Sequence, residues 1–250
     1  MKNSTNILTS EIVLKILSGK DLDLNTAFIK FTEIEPEASR ILINSHINCQ
    51  DNFLSLDGLK NISPEIAVIL SKYQGWSLGL AGLKNITTPV ANALSNYSGH
   101  LNLDGITNLS SAIANLLSRQ NGSLSLSGLK SISISCARAL ENYRGNLYLN
   151  GLKDLSDKVA NELSQSKSHT LYLNGLENIS DKAAVTLIFY RGAILSLDGL
   201  KVMSDEFAKS IWLFKGGLSL DGLESISENG EKYLLKFRGT WLCAPRLGYY

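Results

Sequence analysis

The stretch Leu147-Tyr148-Leu149-Asn150-Gly151-Leu152-Lys153-Asp154-Leu155-Ser156-Asp157 returns 24 residues later as Leu171-Tyr172-Leu173-Asn174-Gly175-Leu176-Glu177-Asn178-Ile179-Ser180-Asp181. The same Leu-x-Leu-x-Gly opening recurs at Leu54, Leu78, Leu101, Leu124, Leu195 and Leu218, always 23 or 24 residues apart. A fixed period of this length is the signature of a stacked array of small units. With the first Leu as position zero, position nine is Ser or Thr in all eight copies, from Ser63 to Ser227. Position thirteen is Ala in seven of them, and position twenty-one is Gly in seven, with Ser168 the exception.

Each recurring residue has a physical role. Leu-x-Leu alternates, so it reads as a short strand with both leucines on one face. The Gly at position four lets the chain turn without a Cβ clash. The Ser/Thr is a helix N-cap. Ala at thirteen and Leu at sixteen share a helical face. The second Gly, at position twenty-one, is expected to end the helix in a left-handed conformation. One such unit cannot bury its own apolar face, so it must stack on its neighbours. Strands ~4.8 Å apart and helices ~10 Å apart must then curve into an arc with the strands inside. The predicted fold is α/β, a right-handed solenoid with a parallel sheet on the concave face and helices on the convex face.

This pattern resembles the leucine-rich repeat family, most closely its cysteine-containing type. Leu147 and Leu149 match that type's Leu-x-Leu, and Leu155-Ser156-Asp157 matches its Ile-Thr-Asp, as do Ile179-Ser180-Asp181 and Met203-Ser204-Asp205. Leu or Ile stands at the Cys position in every copy, as at Leu152, and the repeat is two or three residues short of the usual length. The chain is thus similar to a short bacterial variant, over about residues 24 to 243. The resemblance implies the solenoid and leaves function open, because such horseshoes host many unrelated binding roles.

The domain reading is one solenoid. A capping helix is expected within residues 1–23, around Ser10 to Leu17, and a degenerate first repeat over 24–53. Eight repeats fill 54–240, and a terminal strand and tail fill 241–250. In the terminal strand Trp241 and Cys243 stand where a ninth Leu-x-Leu is due.

The 250 residues carry a net charge of +1 and are 44% hydrophobic, enough apolar material for a core. No apolar run is long enough to span a bilayer, and the opening residues do not form a secretory leader. The expectation is a cytoplasmic protein, with export as an effector by a leaderless route left open. Three scattered cysteines (Cys49, Cys136, Cys243) give no disulfide framework, and three separated histidines (His46, His100, His169) give no metal spacing. Cys136 replaces Ile, Val or Phe of other copies and reads as a buried apolar group. No phosphate loop, zinc-protease helix or nucleophile elbow occurs. No catalytic residue, metal or cofactor is therefore expected, and the chain reads as a non-enzyme.

Positions one and three of each strand face away from the leucines and line the concave sheet. These sixteen sites hold four Asp and no Lys or Arg, which argues against a nucleic-acid groove. Tyr148, Tyr172, Asn150, Asn174, Asp104 and Asp198 are the candidate binding residues there. Five lysines at position six (Lys60, Lys84, Lys130, Lys153, Lys201) form a solvated rim. On the helices, positions seventeen and eighteen are polar in early repeats but become Ile188, Phe189, Trp212 and Leu213, with Leu235 following. This apolar stripe calls for a cover: the tail from Pro245 to Tyr250, weak self-association of an otherwise monomeric chain, or a partner. The reading reached is a scaffold for another protein, with no nucleic-acid or membrane partner. The alternative is carbohydrate or a small polar ligand on the Tyr/Asn/Asp strip.

Overall fold

The computed structural model describes residues 6–18, 24–45 and 53–247. His46, Cys49 and the last three residues, Gly248 to Tyr250, lie outside them. The chain opens with β1 (Ile7–Leu8), α1 (Ser10–Leu17), α2 (Leu24–Ala27), β2 (Glu33–Ile34) and α3 (Pro36–Asn44). The first four repeats supply β3 (Phe53–Ser55), α4 (Pro64–Leu70), β4 (Ser77–Gly79), α5 (Thr88–Leu94), β5 (His100–Asn102), α6 (Ser111–Leu117), β6 (Leu124–Ser125) and α7 (Ile134–Ala139). The later ones supply β7 (Leu147–Tyr148), α8 (Asp157–Ser164), β8 (Thr170–Tyr172), α9 (Asp181–Leu187), β9 (Ile194–Ser196), β10 (Val202–Met203) and α10 (Asp205–Ser210). The chain closes with β11 (Gly217–Ser219), β12 (Ser225–Ile226), α11 (Glu228–Leu234) and β13 (Trp241–Cys243).

Nine strands form one parallel sheet, β3-β4-β5-β6-β7-β8-β9-β11-β13. Each position-zero leucine pairs with the next, as Leu147 does with Leu171. The leucines at positions zero and two are buried, and so is every Ala at position thirteen, which lets each helix lie close against the sheet. The fold is the α/β, leucine-rich-repeat-like solenoid that the period implied, with one parallel strand per repeat. Seven of the eight N-cap hydroxyls accept an N–H three residues on; Thr87 caps by backbone alone.

Three details differ from the sequence reading. The two glycine columns are required by contact between repeats, not by backbone conformation, for no described glycine is left-handed. A Cβ on Gly128 would lie 2.0 Å from the Asp104 carbonyl, and one on Gly145 would lie 1.6 Å from that of Gly122. The last strand is shifted by one residue. Leu242, not Trp241, pairs with Leu218, so Trp241 and Cys243 lie on the face opposite to the leucines while Ala244 is buried. Within residues 24–53, α3 matches α4, but the four-residue helix α2 precedes it where a repeat strand would lie. The pair β1–β2 forms a separate parallel ladder beside α1.

Candidate functional site

The acidic and amide column of the sheet face is spent on joining repeats. Asp104 Oδ1 accepts the Ser127 N–H at 2.7 Å and the Ser125 hydroxyl at 2.6 Å. Asn150 Oδ1 accepts the Asn174 N–H at 3.0 Å, and Asn174 Oδ1 accepts the Asp198 N–H at 3.2 Å. Asp198 Oδ1 accepts the Asp221 N–H at 3.0 Å and the Ser219 hydroxyl at 2.5 Å. A buried strand-end N–H left without an acceptor would cost ~1–3 kcal/mol, so position three caps the turn of the following repeat. Ala81 offers no acceptor, and there Asn102 of the same strand takes the Asp104 N–H instead, at 2.9 Å. The small Ser55, Ser125, Ser196 and Ser219 at position one are buried beside this ladder. These hydrogen bonds engage Oδ1 of Asp104, Asn150 and Asn174 and both carboxylate oxygens of Asp198, so a sugar on the Tyr/Asn/Asp strip would have to share or displace them.

Beside this ladder stands an aromatic row, with Trp76 exposed and His100, Tyr148 and Tyr172 half-buried. Tyr148 and Tyr172 stack at 4.2 Å between ring centroids, with planes 3° apart. His100 meets Tyr148 edge-on at 5.4 Å and stacks on Trp76 at 5.8 Å. The repeat between His100 and Tyr148 carries only Ser123 and Ser125 at the corresponding sites, which leaves the two rings free to lean together. One row, Trp76–His100–Tyr148–Tyr172, thus runs from β4 to β8, five adjacent strands, with β6 contributing no ring. Burial lowers the His100 imidazole below its ordinary range, against the Asp104 carboxylate, which raises it. Burial and the neighbouring Tyr172 push Tyr148 up to about 12. Beside the row, at the edge where return loops enter the strands, lies a groove of about 270 Å³ lined by Trp76, His100, Asn121, Asn146 and His169. Trp76 is 68% exposed. The sequence singles out the Tyr pair but marks His100 and His169 only as histidines without metal spacing and does not connect Trp76, because the contact joins residues at different repeat positions.

The late stripe is real but incomplete. Ile188 is buried in the core, which corrects its inclusion, while Phe189, Trp212, Leu213 and Leu235 are exposed. The tail does not cover them over its described length. Pro245–Leu247 forms a single turn on the opposite edge, where Arg246 pairs with Glu224 at 2.7 Å and Glu224 also holds Lys201.

Cys136 is buried and its thiol lies 2.9 Å from the Leu109 carbonyl. The Cys243 thiol is pushed up to about 11 by hydrogen bonding to Asp221, burial and the charges of Asp221 and Asp198, so at neutral pH it is not a thiolate nucleophile. Among the described residues, no group of three or more His, Cys, Asp or Glu could hold a metal ion, and no helix is long and apolar enough to cross a membrane.

No family model and no curated protein matches the chain. Among solved structures it is similar to an internalin from Listeria monocytogenes, at 15% identity and a TM-score of 0.42, over 89% of this chain and 76% of that one. The repeat register and the parallel sheet, rather than this likeness, carry the assignment of the fold.

Proposed function

We propose that the chain is a non-catalytic scaffold that binds another protein through the aromatic row of its concave sheet. The observation that carries this reading is the division of labour on that face. At least one side-chain oxygen of each of Asp104, Asn150, Asn174 and Asp198 is bound internally, whereas Trp76, His100, Tyr148 and Tyr172 stand together as one row. Aromatic clusters are the commonest anchors of protein interfaces, and a row held by stacking loses little entropy when a partner settles on it. Asn146, in the adjoining groove, has a buried amide oxygen with no hydrogen-bond partner among the described residues, an acceptor suited to a polypeptide N–H.

Affinity capture from the native host tests this, with the wild-type chain run beside a Trp76→Ala/Tyr148→Ala/Tyr172→Ala variant. The expected result is a protein retained by the wild type and reduced at least ~tenfold by the variant, as for loss of one hot-spot residue or more. Equal retention by both would end this assignment of the face.

A further inference from the structure

Position twenty, in the return loop just before each strand, changes character along the chain. It reads Gln74, Ser98 and Asn121 in the first three repeats, and then Arg144, Lys167, Arg191, Lys215 and Arg238 in the last five. All five cations are exposed. None forms an ion pair among the described residues; Lys167 only donates to the Asn142 amide, at 2.8 Å. The opposite edge behaves differently, for there Lys153 and Lys201 are matched to Glu177 and Glu224 of the following repeat. In the last three repeats, from helix position fourteen to the next strand (185–193, 209–217 and 232–241), six cations occur and no carboxylate. The exposed Phe189, Trp212, Leu213 and Leu235 stand on this same edge, at 58, 48, 38 and 69% exposure.

We propose that this edge of the late repeats docks on the surface of an anionic lipid bilayer. Charge complementarity selects an anionic partner, since a row of unmatched cations one repeat apart gains most from a dense layer of negative headgroups. The apolar residues select a bilayer among anionic partners. Trp sits at the headgroup level of membranes, and Leu213, Leu235 and Phe189 reach an acyl boundary that nucleic acid does not have. Headgroups also move laterally, so they match a curved row of charges without a complementary register. The expectation of no membrane partner rested on the lack of a spanning segment, which bears on insertion and not on surface docking. The inference is independent of the concave-face reading and uses different residues.

The test is co-sedimentation of the full chain with phosphatidylcholine vesicles containing about 30% phosphatidylserine, a cytoplasmic-leaflet-like charge, against phosphatidylcholine alone. Binding to the anionic vesicles should be at least ~hundredfold stronger, and it should fall steeply between about 50 and 500 mM salt as screening shortens. Arg191→Glu/Lys215→Glu/Arg238→Glu should reduce binding to the neutral-vesicle level. If that triple variant does not fold, the Gln triple should still lower binding about a hundredfold, at roughly fivefold per cation. In a Trp76→Phe/Trp241→Phe background Trp212 is the one remaining tryptophan, and its emission should shift to the blue on vesicle binding. Trp76→Ala/Tyr148→Ala/Tyr172→Ala should leave vesicle binding unchanged. Absence of binding at low salt, equal binding to neutral vesicles, or no response to the triple variants would overturn the proposal. Binding to single-stranded poly(dT) that matches or exceeds vesicle binding, with no shift of Trp212 emission, would overturn it in favour of nucleic acid.

Discussion

Repeats one to four and repeats five to eight share one backbone but are held together differently. At the first helical position, the early repeats carry Pro64, Thr88, Ser111 and Ile134, whereas the late ones carry Asp157, Asp181, Asp205 and Glu228. In the late set the N-cap hydroxyl of each next repeat donates to the preceding Asp. Ser180 reaches Asp157 at 2.7 Å, Ser204 reaches Asp181 at 2.5 Å, and Ser227 is bound to Asp205. The return loops change as well. Tyr97, Gln120 and Tyr143 donate across to Gly75, Gly99 and Gly122 carbonyls, and Tyr190 still does so to Ser168, but Phe214 and Phe237 end the series. The early half thus ties its loops by polar bonds and stays uncharged at position twenty in its first three repeats, Arg144 of the fourth opening the cationic series. The late half ties its helix starts by exposed charged bonds and turns a cationic, apolar edge outward. A solenoid permits this because each repeat answers only to its neighbours.

The largest expected effect concerns the loop glycines. Gly145→Ala places a Cβ 1.6 Å from the Gly122 carbonyl oxygen, a backbone atom that cannot step aside without separating two repeats. The loss should be at least ~3 kcal/mol by denaturant unfolding, beyond ordinary overpacking. Gly217→Ala, one position past the glycine column in the late half, meets only side-chain atoms, the Trp241 ring at 3.2 Å and Ile194 Cγ1 at 3.4 Å, and should cost less than ~1 kcal/mol. Equal costs would mean that the approach to the neighbouring backbone carbonyl is not what requires the column glycine.

A smaller effect is expected at the polar loop tie. The Tyr143 hydroxyl donates to the Gly122 carbonyl at 2.6 Å, and the whole side chain is buried. Tyr143→Phe keeps the ring and strands that carbonyl, at a cost of about 1–2 kcal/mol. The melting temperature would report it. An unchanged value would show that the tie adds nothing beyond the packing that Phe214 supplies in the late half.

Much of this was legible in the sequence, and what was missed has definite physical causes. Period, strand face, N-caps and buried Ala are properties of one repeat, and a single-chain pattern displays them. The glycines were recognised but for the wrong reason, since a Cβ clash with the neighbouring repeat is invisible in a reading of one unit. The shift at Trp241 follows from the 24-residue distance between Leu218 and Leu242, which the aromatic at 241 masked; one residue is enough to exchange the two faces. Asp104, Asn150, Asn174 and Asp198 looked like binding groups because they face the open side, and only their hydrogen bonds show that they serve the next turn. The cation column at position twenty could have been read from the alignment of repeats, had that loop position been compared as the strand positions were.

The smallest expected effect, and the sharpest discriminator of the two halves, is acid. Hydrogen bonds from Ser180, then from Lys182 together with its charge, hold the Asp157 carboxyl below the usual range, and bonds from Asn229 and Ser227 do the same for Asp205. A carboxyl whose folded pKa lies below its unfolded value stabilises the fold above roughly pH 4, where the unfolded chain also ionises. That contribution is lost as the pH falls through the lower, folded value. The early repeats have no carboxylate at this position, so acid should loosen the late helix starts first. Amide hydrogen exchange, corrected for intrinsic rates, should show the N–H groups of Ala183 and Gly230, capped by the Ser180 and Ser227 hydroxyls that bond Asp157 and Asp205, losing protection between about pH 6 and pH 3. Those of Ile66, Ile113 and Cys136, capped in the same way, should change less. Asp157→Asn/Asp205→Asn should remove the difference by leaving neither of these two carboxyls to titrate. A uniform acid response along the chain, or one that survives this double variant, would show that the charged bonds do not distinguish the halves.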